Sequence, residues 1–150
     1  GDDLGANATG TFWGIRAGTD RSEIIRGIYE GIVFQHARHL NKLLEVAEPP
    51  TQIRFAGGAT RSEVWMQMFA DVLDLTVTVS PASELGALGA AICAAVGVGE
   101  YESYGAAMKA MTAVRDSYEP NPERGGPLRE KQKKFARAVE QMAPICRANA

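Results

Sequence analysis

Two adjacent glycines, Gly57 and Gly58, occupy the position in this chain that best suits binding chemistry. They separate a short apolar run, residues 53–56, from a segment in which apolar residues recur at helical spacing. A parallel sheet delivers such a turn to the edge where ligands usually bind. Because glycine has no Cβ, a ligand can approach the backbone closely, and the following helix adds unpaired N–H groups and the positive end of its dipole. This combination suits a phosphate group.

The alternative is that this turn is only a tight connection between a strand and a helix. The chain contains neither G-x-x-x-x-G-K-[ST] nor G-x-G-x-x-G, the two familiar phosphate-binding loops. By itself the glycine pair therefore favours the plain turn, and the rest of the chain has to decide between the two interpretations.

A few other side chains have the chemistry of site residues. His36 and His39 lie three residues apart on a predicted helix, but no cysteine or third histidine completes a metal site, so surface or packing roles are favoured. Glu84 precedes a helix and either caps its N-terminus or holds a ligand, and capping is favoured. Asp71 lies about three helical turns beyond the glycines, some ~15 Å or more away, so it is predicted to be structural rather than catalytic.

A long helix is predicted between Asp20 and Pro49. Asp20 and Glu23 have the spacing of a capping box, and a proline pair ends the pattern. Gly27 and Gly31 share one face, which indicates close approach of another element, because each glycine costs about 1 kcal/mol relative to alanine in a helix interior. The predicted apolar positions repeat at helical spacing: Ile24, Ile28, Ile32, His36, Leu40, Leu43, Leu44 and Ala47.

The glycine turn is predicted to lie between two parallel strands. Residues 76–79 alternate β-branched side chains and form the second strand, and residues 11–15 are predicted to form another short one. Strands that alternate with helices argue for an α/β fold. The helix after the turn is predicted to present one apolar face, made of Val64, Trp65, Met68, Phe69, Val72 and Leu73.

The C-terminal half is predicted to be mainly helical. A helix over residues 85–95 is rich in small residues and is expected to be buried, with Cys93 as a small buried hydrophobic residue. Ser103 is predicted to cap a short helix. Residues 116–126 have the composition of a loop, after which Pro127 is predicted to start the last helix.

Length and charge narrow the function classes. The chain has 150 residues, 45% of them hydrophobic, and a formal net charge of −2, which fits one domain with a sizeable core. The nearly neutral balance predicts no nucleic-acid partner, and no apolar run approaches the ~18 residues of a membrane span. Two lone cysteines favour a reducing, cytoplasmic setting. Residues 1–10 have loop composition, and the start without methionine indicates a fragment of a longer protein.

Three blocks of sequence stand in the order and spacing of one protein family. The first is GTFWGI at residues 10–15 followed by EIIRGIYEG at residues 23–31, the second is GGATRS at residues 57–62, and the third is ELGALGAA at residues 84–91. Together they resemble the C-terminal domain of the FGGY carbohydrate kinases. The opening LGANATGTFWGI is most similar to the xylulokinase and L-xylulose kinase branch.

This resemblance implies an α/β domain with the actin-like ATPase (ribonuclease H-like) fold, in which a partial parallel sheet is flanked by helices. It implies a carbohydrate kinase that uses ATP and Mg²⁺. Residues 57–59 would pass beside the α-phosphate and ribose, and Ser62 or the backbone of residues 60–61 would lie near adenine. The implied nucleotide-binding residues are Gly57, Gly58, Ala59, Thr60, Arg61 and Ser62.

The resemblance also predicts what the chain does not contain. Residues 1–150 would form the C-terminal, ATP-side domain of a two-domain kinase, and the catalytic Asp and phosphate loops of the family would lie upstream. The fragment is therefore expected to be inactive alone, and the sugar, expected to be a pentulose, would bind through the missing domain. The oligomeric state is left open, with a homodimer as one possibility, and the exposed face toward the missing domain can itself make the fragment self-associate artificially. The alternative is a non-catalytic binding or assembly module that retains the actin-like fold.

Overall fold

The computed structural model describes residues 10–82 and 84–148. The predicted N-terminal loop, apart from Gly10, and with it residues 4–9 of the opening LGANATGTFWGI, lie outside these residues. The chain divides into two compact units, one made of Gly1–Glu48 with Pro122–Ala150 and the other of Pro49–Asn121. In the described ranges, no helix is both long and apolar enough to cross a membrane.

The elements follow one another along the chain in an alternating order. They are α1 (Arg21–Leu43), β1 (Gln52–Phe55), a 3-10 turn (Gly58–Arg61), α2 (Glu63–Leu73), β2 (Thr76–Val79), α3 (Leu85–Gly97), α4 (Tyr104–Met111), β3 (Asp116–Tyr118) and α5 (Pro122–Ala148).

The first unit is built on the long helices α1 and α5, which pack against each other. The predicted capping box is confirmed: the Asp20 carboxylate accepts a bond from Glu23 N at 2.9 Å, and the Glu23 carboxylate accepts one from Asp20 N at 3.0 Å. Between the helices, the rings of Phe34 and Phe135 have centroids 5.6 Å apart. Such aromatic contacts add to the burial of apolar surface that holds two helices together.

The predicted long helix is confirmed as α1, but none of the repeating positions that predict it is buried. Ile28 and Ile32 are 47% and 38% exposed, whereas Val33 and Ala37 are buried together with the carboxylate residue Glu30. Because α1 carries apolar residues around much of its circumference, periodicity alone did not identify the side that packs in this unit.

Three further expectations for this unit fail. Residues 10–20 form no strand, so the predicted strand over residues 11–15 is absent. Among the described residues, no other element has a heavy atom within 4 Å of a Cβ placed on Gly27 or Gly31, so the expected close approach is not found there. The helix α5 begins at Pro122 rather than at Pro127, because the earlier proline suits the first helical position equally well.

The second unit is built on a three-stranded sheet in the order β1-β2-β3. β1 and β2 are parallel, with Phe55 opposite Val79, which confirms the predicted strand pair. β3 runs antiparallel to β2, with Val79 opposite Asp116, so part of the predicted loop over residues 116–126 is an edge strand. The sheet is therefore mixed, and its central strand is buried.

The helix α2 connects the two parallel strands and packs on the sheet through Phe69. The ring centroid of Phe69 lies 4.5 Å from that of Phe55 and 5.9 Å from that of Trp65. Met66 is fully buried, whereas Val64, a predicted face residue, is 77% exposed. At the start of α2, the buried face therefore includes Met66 instead of the predicted Val64.

The helices α3 and α4 pack against each other in the same unit. The Ser103 cap of α4 is confirmed, since its hydroxyl accepts a bond from Ala106 N at 3.2 Å. The predicted burial of α3 is wrong: Ile92 is buried, but most other described residues of the helix are exposed, including Cys93. A run of small residues permits another element to pack closely against the helix, but it does not indicate which element does so.

Candidate functional site

The glycine turn has a backbone conformation that depends on Gly57. This residue has φ 92° and ψ −170°, a region that is essentially restricted to glycine. Gly58 has no positive φ, so a side chain at Gly58 meets no such restriction of the backbone. The strain belongs to the preceding position.

A 3-10 turn that begins at Gly58 lies between Gly57 and α2, and the sequence does not predict it. It runs from Gly58 to Arg61, and Ser62 then caps α2 by accepting a bond from Trp65 N at 3.3 Å. The first N–H group that the turn satisfies internally is that of Thr60, which donates to Gly57 O at 3.1 Å. The N–H groups of Gly58 and Ala59 therefore have no acceptor within the turn.

Thr60 anchors the turn from the inside. Its side chain is buried, and its hydroxyl donates to the carbonyl of Gly57 at 2.7 Å, the same oxygen that accepts the Thr60 N–H. The carbonyl of Thr60 in turn accepts a bond from Arg115 Nη2 at 3.0 Å. The hydroxyl, the N–H group and the carbonyl of Thr60 are thus all engaged within the protein.

Arg115 joins the turn to the edge of the sheet. Its backbone N–H donates to Val79 O at 2.7 Å, and its Nε donates to Asp116 Oδ2 at 2.5 Å. The hydrogen bond to Asp116 raises the pKa of Arg115 above its ordinary value, and burial acts in the opposite direction without reversing it. The guanidinium therefore stays charged while it holds the Thr60 carbonyl.

Sequence reasoning missed Arg115. It lies 55 residues from Thr60, immediately before residues 116–126, whose composition predicts a loop. Only the antiparallel pairing of β3 with β2 brings it to the glycine turn. The sequence around Arg115 contains no local pattern that predicts this contact.

The outer side of the turn is open. Gly57, Gly58 and Arg61 are exposed, and a Cβ placed on either glycine meets no heavy atom within 4 Å among the described residues. The structure thus brings the six predicted residues together in one compact turn, with one side chain directed inward and free space above the glycines.

The other candidate residues make local contacts. His36 Nδ1 lies 2.8 Å from the carbonyl of Ile32, and His39 Nε2 lies 3.1 Å from Gln35 Nε2. Among residues 10–82 and 84–148, no group of three or more His, Cys, Asp or Glu side chains is arranged to hold a metal ion. Glu84 occupies the N-cap position of α3 but its side chain makes no capping bond, so the predicted cap is not formed.

Asp71 has the contacts of a structural residue. It is 2% exposed, and its Oδ1 accepts bonds from Gln67 Nε2 at 2.9 Å and from the Asn121 backbone N–H at 2.8 Å. It thereby ties α2 to the segment that follows β3. A carboxylate engaged in this way is poorly placed to take a proton from a substrate.

The family model and the most similar curated proteins that are compared all point to one family of kinases. Residues 3–98 match the model of the FGGY family of carbohydrate kinases, C-terminal domain. The chain is 38% identical over 109 residues to an L-xylulose/3-keto-L-gulonate kinase of Escherichia coli K12, an alignment that covers 73% of this chain and 22% of the relative. The chain thus spans about a fifth of the length of the curated relatives it matches.

Solved structures show the same architecture. A xylulose kinase from Rhodospirillum rubrum superposes with a TM-score of 0.82 at 27% identity, over 93% of this chain and 28% of that one. A ligand-bound xylulose kinase from Lactobacillus acidophilus superposes with a TM-score of 0.90 over 99% of this chain and 30% of that one. At 20% identity the second likeness concerns the fold alone.

Proposed function

Because the chain belongs to the FGGY family of carbohydrate kinases, whose C-terminal domain its residues 3–98 match, we propose that it is the ATP-side domain of a two-domain sugar kinase. The family and the solved xylulose kinases confirm the predicted actin-like α/β fold. The proposed reaction transfers the γ-phosphoryl group of ATP to a hydroxyl of a pentulose-type sugar in the cytoplasm.

The geometry of the glycine turn carries the ATP-binding part of this proposal. The N–H groups of Gly58 and Ala59 have no acceptor within the turn, and the space above the glycines is open. Exposed Arg61 adds a positive charge beside them. Backbone donors next to a cation suit the α-phosphate of a nucleotide. We therefore keep residues 57–62 as the proposed nucleotide-binding turn, with Ser62 and the backbone of residues 60–61 toward adenine.

Mg²⁺ would come with the phosphates of ATP. The described residues provide no cluster of metal-ligating side chains, so we assign no metal ligand to them. When bound, the ion supplies positive charge to the phosphoryl group in flight. The part played by this chain is to bind and orient the nucleoside end of ATP.

The sugar and the catalytic base belong to the remainder of the proposed enzyme. A general base has to reach the sugar hydroxyl, and Asp71, the most buried carboxylate of the second unit, is engaged with Gln67 and Asn121. The pentulose class rests on the 38% identity to an L-xylulose/3-keto-L-gulonate kinase. Residues 1–150 alone are accordingly expected to phosphorylate no pentulose, and turnover by this chain alone would contradict that assignment.

The test of ATP binding at the turn is Gly58→Val in the full-length kinase. A Cβ at this position meets no heavy atom within 4 Å among the described residues, but the valine side chain occupies the space proposed for the nucleotide. Loss of the backbone contacts and a steric clash together cost roughly 1.4–3 kcal/mol, so we expect the ATP KM to rise about ten- to a hundredfold. The sugar KM is expected to stay unchanged.

Gly18→Val is the matched control. Gly18 also lies in a loop, has no positive φ and has open space at its Cβ position, but it is remote in sequence from the turn. We expect it to change neither KM. If folded Gly58→Val protein bound ATP as tightly as the wild type, the turn would be only a connection between a strand and a helix.

A further inference from the structure

We propose that Arg115 is a positioning residue for the nucleotide-binding turn, a role that rests on the proposed function. Its guanidinium donates to the carbonyl of Thr60, and the same turn carries the N–H groups of Gly58 and Ala59 that are proposed to bind the nucleotide. Arg115 is therefore expected to set the affinity for ATP without contacting ATP.

The contacts form a continuous path from the sheet edge to the turn. The Arg115 N–H donates to Val79 O at 2.7 Å, which fixes the backbone of this residue to the end of β2. Its Nη2 then donates to Thr60 O at 3.0 Å. Thr60 in turn holds the carbonyl of Gly57 through both its hydroxyl and its N–H group. Every link of this path ends on the backbone of the turn or of the strand beside it.

The chemistry of arginine suits this task. A guanidinium is planar and offers several donors in fixed directions, so it can serve two acceptors at once. Here Nε donates to Asp116 and Nη2 donates to Thr60 O. Asp116 thereby orients the fork that holds the turn. A lysine ammonium is a point charge on a flexible stem and can reach the carbonyl without a fixed orientation.

The turn itself gives a reason for outside support. Gly57 has φ 92° and ψ −170°, and glycine loses the most conformational freedom when it is fixed. Exposed Gly58 has no side chain that could pack against a neighbour. With the Arg115 bond removed, the turn is expected to sample other conformations, and ATP has to select the receptive one at a cost in affinity.

The experiment uses the full-length kinase with the variants Arg115→Ala and Arg115→Lys. The Arg115 side chain is 43% exposed. Water therefore competes for the Thr60 carbonyl, and the expected effect on ATP affinity is moderate. We expect Arg115→Ala to raise the ATP KM and Kd about three- to tenfold, with kcat and the sugar KM unchanged. Arg115→Lys is expected to recover part of the lost affinity. Hydrogen exchange at residues 58–62 is expected to become faster in Arg115→Ala.

Arg54→Ala is the matched control. Arg54 belongs to β1 of the same sheet, and its Nη1 donates to the hydroxyl of Thr112 at 3.3 Å rather than to the turn. We expect this variant to leave the ATP KM unchanged. If Arg115→Ala reduces folding, Asp116→Asn is the second variant, because it loosens the guanidinium and keeps all backbone bonds; a smaller rise of the ATP KM is expected.

The outcomes separate this inference from the proposed function. If Gly58→Val weakens ATP binding and Arg115→Ala does not, the positioning role is overturned and the nucleotide-binding turn stands. Equal losses of ATP and sugar affinity in Arg115→Ala would also overturn it, because they indicate general structural damage. If neither Arg115→Ala nor Gly58→Val changes the affinity for ATP, the proposed nucleotide-binding role of the turn is overturned, and the positioning role of Arg115 falls with it.

Discussion

The two units of this chain differ in the acceptors of their main polar contacts, which are backbone carbonyls in one unit and a side-chain carboxylate in the other. In Pro49–Asn121, the two bonds that hold the 3-10 turn of the candidate site end on backbone carbonyls: Thr60 donates to Gly57 O, and Arg115 donates to Thr60 O. A substitution cannot remove a backbone carbonyl, but it can forbid the conformation that presents it. This unit is therefore expected to be sensitive at a few positions with special backbone geometry.

In the other unit, the main polar contacts join side chains. Glu30 is 4% exposed, and its carboxylate accepts bonds from Arg26 Nε and Lys131 Nζ, each at 2.8 Å. The second of these links α1 to α5. Since such contacts are lost one side chain at a time, we expect graded losses of stability rather than a single intolerant position. The difference suggests that a ligand-binding turn needs a fixed backbone, whereas two packed helices need compensated charge.

The largest effect is expected at Gly57, which tests most directly whether the second unit depends on special backbone geometry. Gly57→Ala places a Cβ on a backbone with φ 92° and ψ −170°, which costs about 1–3 kcal/mol of unfolding free energy. Gly58→Ala meets neither strain nor a neighbour, so its cost is expected to stay below about 0.5 kcal/mol. Urea unfolding of both variants measures the difference, and equal costs would show that the turn adapts its backbone freely.

The next effect concerns Asp71, the one buried carboxylate among the described residues of the second unit. Asp71→Asn keeps one acceptor oxygen but loses the charge that receives the bonds from Gln67 and Asn121. We expect a loss of about 1–2 kcal/mol of unfolding free energy. In the full-length kinase the pH profile of turnover is expected to stay unchanged. Disappearance of its acidic limb would make Asp71 a catalytic base and refute the structural role.

A smaller effect is expected for the buried carboxylate of the first unit. Lys131→Ala removes one of the two cations on Glu30 and leaves Arg26 in place, so about 0.5–1 kcal/mol of unfolding free energy should be lost. Lys133→Ala is the matched control, because its partner Glu130 has a side chain that is 66% exposed. We expect no measurable change there. Equal losses in the two variants would mean that burial of Glu30 does not matter.

Sequence signals that act over three or four residues predicted their structures well. The capping box of Asp20 and Glu23 and the cap at Ser103 are present, because each depends on one side chain reaching a nearby backbone group. The strand at Thr76–Val79 and its parallel partner are also present. The glycine turn was located by the same kind of evidence, an apolar run that stops at two glycines.

Contacts between distant segments could not be predicted in this way. The buried face of α1 depends on where α5 packs, and Glu30 is buried there because Lys131 on α5 and Arg26 on α1 compensate its charge. Arg115 reaches the turn only because β3 pairs with β2. Neither arrangement leaves a periodic pattern in the sequence, and the family resemblance covers the turn without identifying the residue behind it.

The smallest effect is a pH dependence at the start of α1. The pKa of Asp20 is lowered from its ordinary value of 3.8, first by the bond that the Ser22 hydroxyl donates to it and then by the bond from Glu23 N. A lowered pKa in the folded state means that the ionised carboxylate stabilises the fold. That contribution is complete above the ordinary value of the unfolded chain and is lost as the pH falls through the lowered value of the folded chain.

Asp20→Asn isolates this contribution, because asparagine caps a helix about as well as aspartate but does not titrate. We expect the wild type to have a higher Tm than Asp20→Asn at pH 6, and the difference to shrink toward zero as the pH is lowered below 3.8. Thermal unfolding followed by circular dichroism along this pH series measures it. Asp20→Ala, which loses the cap as well, is expected to remain less stable at every pH. A wild-type advantage over Asp20→Asn that does not depend on pH would show that the carboxylate acts through its shape alone, and the first unit would then resemble the second in relying on geometry rather than on charge.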